Sequence, residues 1–176
     1  MIINVARKEL KSLFASPMGW IILALLMLAF GSFYLQGVNN YFEVMSGSIR
    51  PAERVGVTIF VGQTVYGIAS FLMLFAVPLL SMRLISEERK SQTLPFLFSA
   101  PISLTEIVVG KFLGLIIFLS ILVGYIFLML STLNIWSDID FGYLIANSIG
   151  LILLAASFSA LGIYFSSLTN QPIIAA

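Results

Sequence analysis

The chain has 176 residues, 60% of them hydrophobic and 10% charged, with a mean hydropathy of +1.06; soluble domains carry about 25% charge, so this chain does not solvate itself as a globule. Nine basic and eight acidic residues leave a net charge of +1, which offers no overall basic field for nucleic acid. With neither Cys nor His, thiolate and imidazole metal sites, thiol nucleophiles, disulfides and His-based acid–base chemistry are excluded.

In residues 2–14, Ile2, Ile3, Ala6, Leu10, Leu13 and Phe14 share one helical face, while Arg7, Lys8 and Lys11 lie elsewhere, and Ser16-Pro17 interrupts the pattern. Residues 1–17 are therefore predicted to form an amphipathic helix on a membrane surface with an elbow at Pro17. A basic flank that only fixes topology fits the same residues equally well.

Four apolar runs follow, each long enough for the roughly 20 helical residues that a bilayer core requires. The first span is expected at about 18–35. Ala29-Phe30-Gly31 faintly resembles a signal-peptide cleavage site, but the apolar run is too long for that reading. The second span is expected at about 58–82, with a kink at Pro78 that a membrane helix tolerates when its neighbours satisfy the freed carbonyl. The third is expected at about 110–131 and the fourth at about 141–165, so that residues 18–176 form one transmembrane domain. The runs are continuously apolar rather than alternating, which selects helices over barrel strands. Gly31, Gly67, Gly124, Gly150 and Gly162, with Ala156/Ala160 and Ala155/Ser159, are expected to let helices approach closely.

Arg7, Lys8, Lys11, Arg83, Arg89, Lys90 and Lys111 fall on one side of these spans, against Arg50 and Arg54 on the other. The bias places the amino terminus in the cytoplasm. Asp138 and Asp140, in a short external turn after Trp136, are read as a cap on the fourth span rather than an acid pair at work on a substrate.

The segment from Arg83 to Lys111 is too patterned for a plain linker. Arg83/Glu87 and Glu87/Lys90 have helical spacing, so the second span can continue into the cytoplasm. Thr93 can cap a short helix with Leu94 and Pro95 in its first turn, followed by Phe96, Leu97 and Phe98. Pro101 breaks the chain, and Ser103-Leu104-Thr105-Glu106 forms a capping box for a helix expected to run unbroken into the third span. Two Phe and two Leu beside a charged cluster outside the membrane need a cover, which lipid, the amino-terminal helix or another protein would supply.

Met82-Arg83, Glu87-Glu88-Arg89-Lys90, Thr93-Leu94, Pro101-Ile102-Ser103 and Gly110-Lys111 occur in this order after a second span. Together with the basic amphipathic start, and Gly162 and Ser166-Ser167-Leu168-Thr169 late in the chain, they resemble permease subunits of type-two ABC transporters. The likeness is nearest to the gliding-motility and copper-processing branch. Gln92 and Pro95 stand where that pattern often has glycine and glutamate, and Asn170-Gln171 stand one residue closer to the threonine than usual.

The resemblance implies an all-α integral membrane protein of six spans. Four are seen here, a fifth opens at Pro172, and the sequence reads as C-terminally truncated. An interfacial helix would precede the spans, and a cytoplasmic coupling helix would lie between spans two and three. The implied role is the permease subunit of an ATP-binding-cassette exporter in a bacterial inner membrane. It would work with two separate ATPase subunits and a second permease subunit, identical or different, amid membrane lipid. Glu87, Glu88, Arg89, Lys90, Thr93, Leu94, Phe96 and Phe98 would contact the ATPase. No cofactor, metal or catalytic residue is expected, and no G-x-x-x-x-G-K-[ST] loop is present, since Phe112 follows Gly110-Lys111. Gln63 and Asn147 are candidate pathway residues, although an amide in a bundle more often bonds a neighbouring helix.

Two other readings remain open. An ion-coupled secondary transporter would place ionisable groups near the midplane, whereas the charges are expected outside the four apolar runs, with Lys111 bounding the third. A non-transporting scaffold subunit explains the spans but not the apolar segment at Thr93–Phe98.

Overall fold

The computed structural model describes residues 1–47, 56–90 and 103–168, and these are almost wholly helical. Among the described residues five α-helices follow in order: α1 (Ile2–Ala15), α2 (Pro17–Met45), α3 (Val57–Lys90), α4 (Leu104–Ser131) and α5 (Phe141–Leu168), with a 3-10 turn at Thr132–Ile135 between the last two. Arg50, Arg54, the predicted helix at Thr93–Phe98 with Gln92, and Thr169 to Pro172 lie outside the described residues.

Helices α2 to α5 have 29, 34, 28 and 28 residues; at 1.5 Å per residue all are longer than the roughly 30 Å of a hydrocarbon core. Each contains a stretch long and apolar enough to cross a membrane: Pro17–Met45, Val57–Ser81, Thr105–Ile135 and Phe141–Ser166. Their outward faces carry Leu25, Leu28, Phe71, Phe75, Leu128, Leu153 and Phe165, all exposed. Apolar surface on this scale would drive aggregation in water, whereas lipid accommodates it. The chain is an all-helical, multi-pass membrane protein.

The bundle is built on α3 and α4, whose apolar stretches are 44% buried against 22% for α2 and α5. Phe30, Val61, Val65, Met73, Leu115, Phe118, Leu122, Ile126 and Leu144 are almost wholly enclosed and form one core. Helices α2 to α5 alternate in direction, whereas α1 and α2 both run the same way as α4, since Gly110 lies against Val5, Phe14 against Phe118 and Tyr34 against Thr132. Late α2 meets early α3, where Gly37 lies against Val61 and Tyr41 against Phe60. Early α3 also meets early α5, since Tyr66 OH donates to the Leu144 carbonyl at 3.0 Å and pairs with Ser148 Oγ at 2.8 Å. Helix α1, the carboxyl end of α3 and the start of α4 therefore share one end of the bundle.

Helix α2 runs about ten residues beyond the expected end of the first span. Gly37, Val38 and Tyr41 keep packing against α3, so tertiary contact carries the helix through Gln36, Asn39 and Asn40. It stops where Gly47 takes φ 79° and its amide donates to the Val44 carbonyl at 3.2 Å. Pro78 does not end α3. Asp140 caps α5 by accepting from the Tyr143 amide at 3.0 Å, and its own amide donates to Thr58 Oγ1 at 3.2 Å.

The close approaches are made by other glycines than most of those expected. A Cβ at Gly67, Gly124 or Gly150 would meet nothing within 4 Å. These glycines lie on helix faces with no opposing helix among the described residues, and a small residue matters only where one is opposed. Gly162 does face α3, where a Cβ would collide with Ser81 Oγ, and at the other end of the same interface a Cβ on Gly62 would lie 2.8 Å from the Tyr143 ring. Of the small pairs, Ala155 and Ser159 are buried whereas Ala160 is exposed.

Candidate functional site

The end of the bundle that holds α1 also holds four of the candidate contact residues, Glu87, Glu88, Arg89 and Lys90. The α3 helix continues past Ser81, the last residue of its apolar stretch, to Lys90. Glu87, Glu88, Arg89 and Lys90 thus form its last turn, about 13 Å beyond Ser81. The partner helix α4 begins with a complete capping box: Ser103 Oγ accepts from the Glu106 amide at 3.3 Å, and Glu106 Oε2 accepts from the Ser103 amide at 3.1 Å. With two of its free amides satisfied, α4 starts abruptly and runs unbroken to Ser131. Residues 91–102, with Thr93, Leu94, Phe96 and Phe98, join these two helix ends.

Against the start of α4 lies α1. Its buried residues are Ala6, Glu9 and Leu13, flanked by half-buried Ile2 and Val5, whereas Ile3 is exposed. The packed face is therefore turned from the one expected, away from Ile3 and towards Val5 and Glu9, because α4 offers two glycines there. A Cβ at Gly110 would lie 2.6 Å from Val5 Cβ, and one at Gly114 2.8 Å from Glu9 Cβ. Between those glycines Lys111 Nζ donates to Glu9 Oε2 at 3.1 Å, and the two side chains are only 3% and 11% exposed. Lys111, expected as a boundary charge, is enclosed by protein; it needed a partner because an unpaired buried ammonium is costly.

The elbow is equally tight. The α1 helix ends at Ala15 and α2 starts at Pro17, whose missing amide costs nothing in a first turn. Gly19 sits against the Leu13 carbonyl, where no Cβ would fit. Trp20 Nε1 donates to the free Phe14 carbonyl at 2.7 Å, and the Phe14 ring meets Phe118 of α4 edge-on at 5.2 Å.

The two candidate pathway residues are not brought together. Gln63 is exposed on α3, and Asn147 Nδ2 donates to the carbonyl of Tyr143, one turn back in its own helix, at 2.8 Å. The expected bond from Asn147 to a neighbouring helix is therefore not the one formed. Tyr66 makes the interhelical contact instead, together with Tyr34, whose OH pairs with Thr132 Oγ1 at 2.8 Å.

Residues 3–175 match the family model described as ABC-2 family transporter protein. No curated protein matches the chain.

Proposed function

The chain belongs to the ABC-2 transporter family and is thereby a membrane permease component of an ABC transporter; from this premise we propose that residues 91–102 are its handle for a separate ATPase. Leu94, Phe96 and Phe98 seat in a groove of the ATPase, and Glu87, Glu88, Arg89 and Lys90 form the polar rim, the usual arrangement of an apolar centre with a wet edge. Thr93 caps the segment. Rigid-body motion of an ATPase pair is passed to α3 and α4 and opens and closes an export path between this bundle and a second permease subunit. The residue likeness noted above favours the gliding-motility and copper-processing branch of the family and a bacterial inner membrane.

The observation that carries this reading is the stiffness of the frame. An unbroken α3 reaches Lys90 and a capped α4 starts at Ser103, so a push on the short segment between them displaces two helices rather than a slack loop. Orientation is part of the proposal. Arg7, Lys8, Lys11, Arg83, Arg89, Lys90 and Lys111 gather at the same end of the bundle, and the positive-inside bias makes that end cytoplasmic. Trp20 in the first turn of α2 and Trp136 beyond α4, both exposed, suit the two interfacial belts.

The secondary-transporter reading has less support. The apolar stretch of α4 does include Glu106 and Lys111, but both lie near its start, and no charge falls between Phe112 and Ile135. A scaffold without a transport cycle leaves the apolar segment unused. Replacing Leu94, Phe96 and Phe98 together by serine in the full-length protein is expected to abolish co-purification of the ATPase subunit. Undiminished association contradicts the docking role.

A further inference from the structure

Gly110 and Gly114 bring α1 and α4 together, with Val5 and Glu9 seated against them. The Glu9–Lys111 pair is a charged contact between the two helices, and it adds a polar penalty to any change of register. A slip of α1 by a single turn would carry the carboxylate about 5 Å along α4 and leave two enclosed charges without each other. Lys111 stands two turns above the capped start of α4, so it is well placed to hold that start. At its other end α1 is clamped to α2 through Ser16, Gly19 and the Trp20–Phe14 bond. Direct packing of α2 on α4 is slight compared with that of α1 on α4. The start of α4 is thus linked to the start of α2 through α1, which packs along α4 and continues across Ser16 into α2.

We infer that Glu9 and Lys111 are a positioning pair that locks α1 to α4 in one register, making α1 a strut that carries displacement of residues 91–102 to the first span. The inference rests on the proposed function and adds to it a second output from the handle, beyond α3 and α4. A membrane-surface helix free to float in lipid would not need a buried ion pair; a strut does, because register is what it transmits.

The test uses the full-length permease assembled with its ATPase subunit and supplied with Mg-ATP. Wild type is compared with Glu9→Gln, Lys111→Met, the charge-reversed pair E9K/K111E and the apolar pair E9M/K111M. ATPase retention and hydrolysis per assembled complex are measured alongside thermal unfolding. The single variants are expected to retain the ATPase subunit, since residues 91–102 are untouched, yet to lose the stimulation of hydrolysis by the permease. The reversed pair regains it. The apolar pair regains thermal stability without regaining stimulation, which a merely structural role would not produce. Full stimulation in either single variant or in the apolar pair overturns the inference, as does a reversed pair that folds as well as wild type and stays unstimulated. If the reversed pair does not fold, the apolar pair decides alone. Should wild type itself retain no ATPase subunit, the proposed function fails and the strut falls with it; retention by wild type with undisturbed single variants sinks the strut only.

Discussion

Lys111→Met alone is expected to lower the stability of the folded chain by about 3–5 kcal/mol, the usual result of stranding one member of a buried ion pair, and Glu9→Met alone to lower it as well. The two side chains are 3.1 Å apart and enclosed by α1 and α4 themselves, so little water reaches the survivor. Replacing both residues by methionine removes the charges together and is expected to recover most of the loss, because a buried pair and an apolar pair of similar volume often come out close in free energy. Glu9→Met, Lys111→Met and the double methionine variant form a cycle whose coupling energy isolates the pair. Thermal unfolding of the full chain in detergent measures it. Additive losses would mean that the two charges do not interact in the folded protein.

Gly162→Ala is expected to destabilise the α3–α5 interface by about 1–3 kcal/mol, the cost of overfilling a packed contact. The added methyl would occupy the place of Ser81 Oγ and lie 2.7 Å from Ser81 Cβ, while the nearest other atom, Pro78 Cα, is a comfortable 3.8 Å away. Ser81→Gly in the same chain removes both obstructing atoms, so the double variant is expected to be more stable than Gly162→Ala alone. Gly150→Ala and Gly67→Ala, which meet open space, are expected to be neutral or slightly stabilising. Thermal unfolding of the four variants distinguishes a helix contact made at Gly162 from a general effect of glycine content.

Long local patterns were the legible part of this fold. Uninterrupted apolar runs mark the four spans because each backbone must satisfy its own hydrogen bonds in lipid. The Ser103–Glu106 spacing announced the start of α4 because a capping box is closed within three residues. Contacts between distant helices were harder to read. Glu9 and Lys111 are 102 residues apart, and each looks like an ordinary flanking charge within its own neighbourhood. A signal was present: Glu9 falls on the stripe of Ala6 and Leu13, and Lys111 sits inside Gly110–Gly114, a small-residue pair at four-residue spacing. A charge in either place is expensive alone, so the two called for each other. The choice among glycines was not legible, since Gly62 and Gly67 differ only in whether another helix stands opposite. The same holds for Tyr66, whose phenol reads as apolar filling until the Leu144 carbonyl and Ser148 come alongside.

The place of the apolar segment between α3 and α4 is the claim on which the functional account turns, and a photo-crosslinking amino acid in place of Phe96 in the full-length protein, irradiated in its native membrane, interrogates it directly. The account predicts an adduct with an ATP-hydrolysing subunit, formed from the cytoplasmic side. Adducts with lipid alone, or reaction of position 96 with a reagent confined to the outside of the cell, would contradict it.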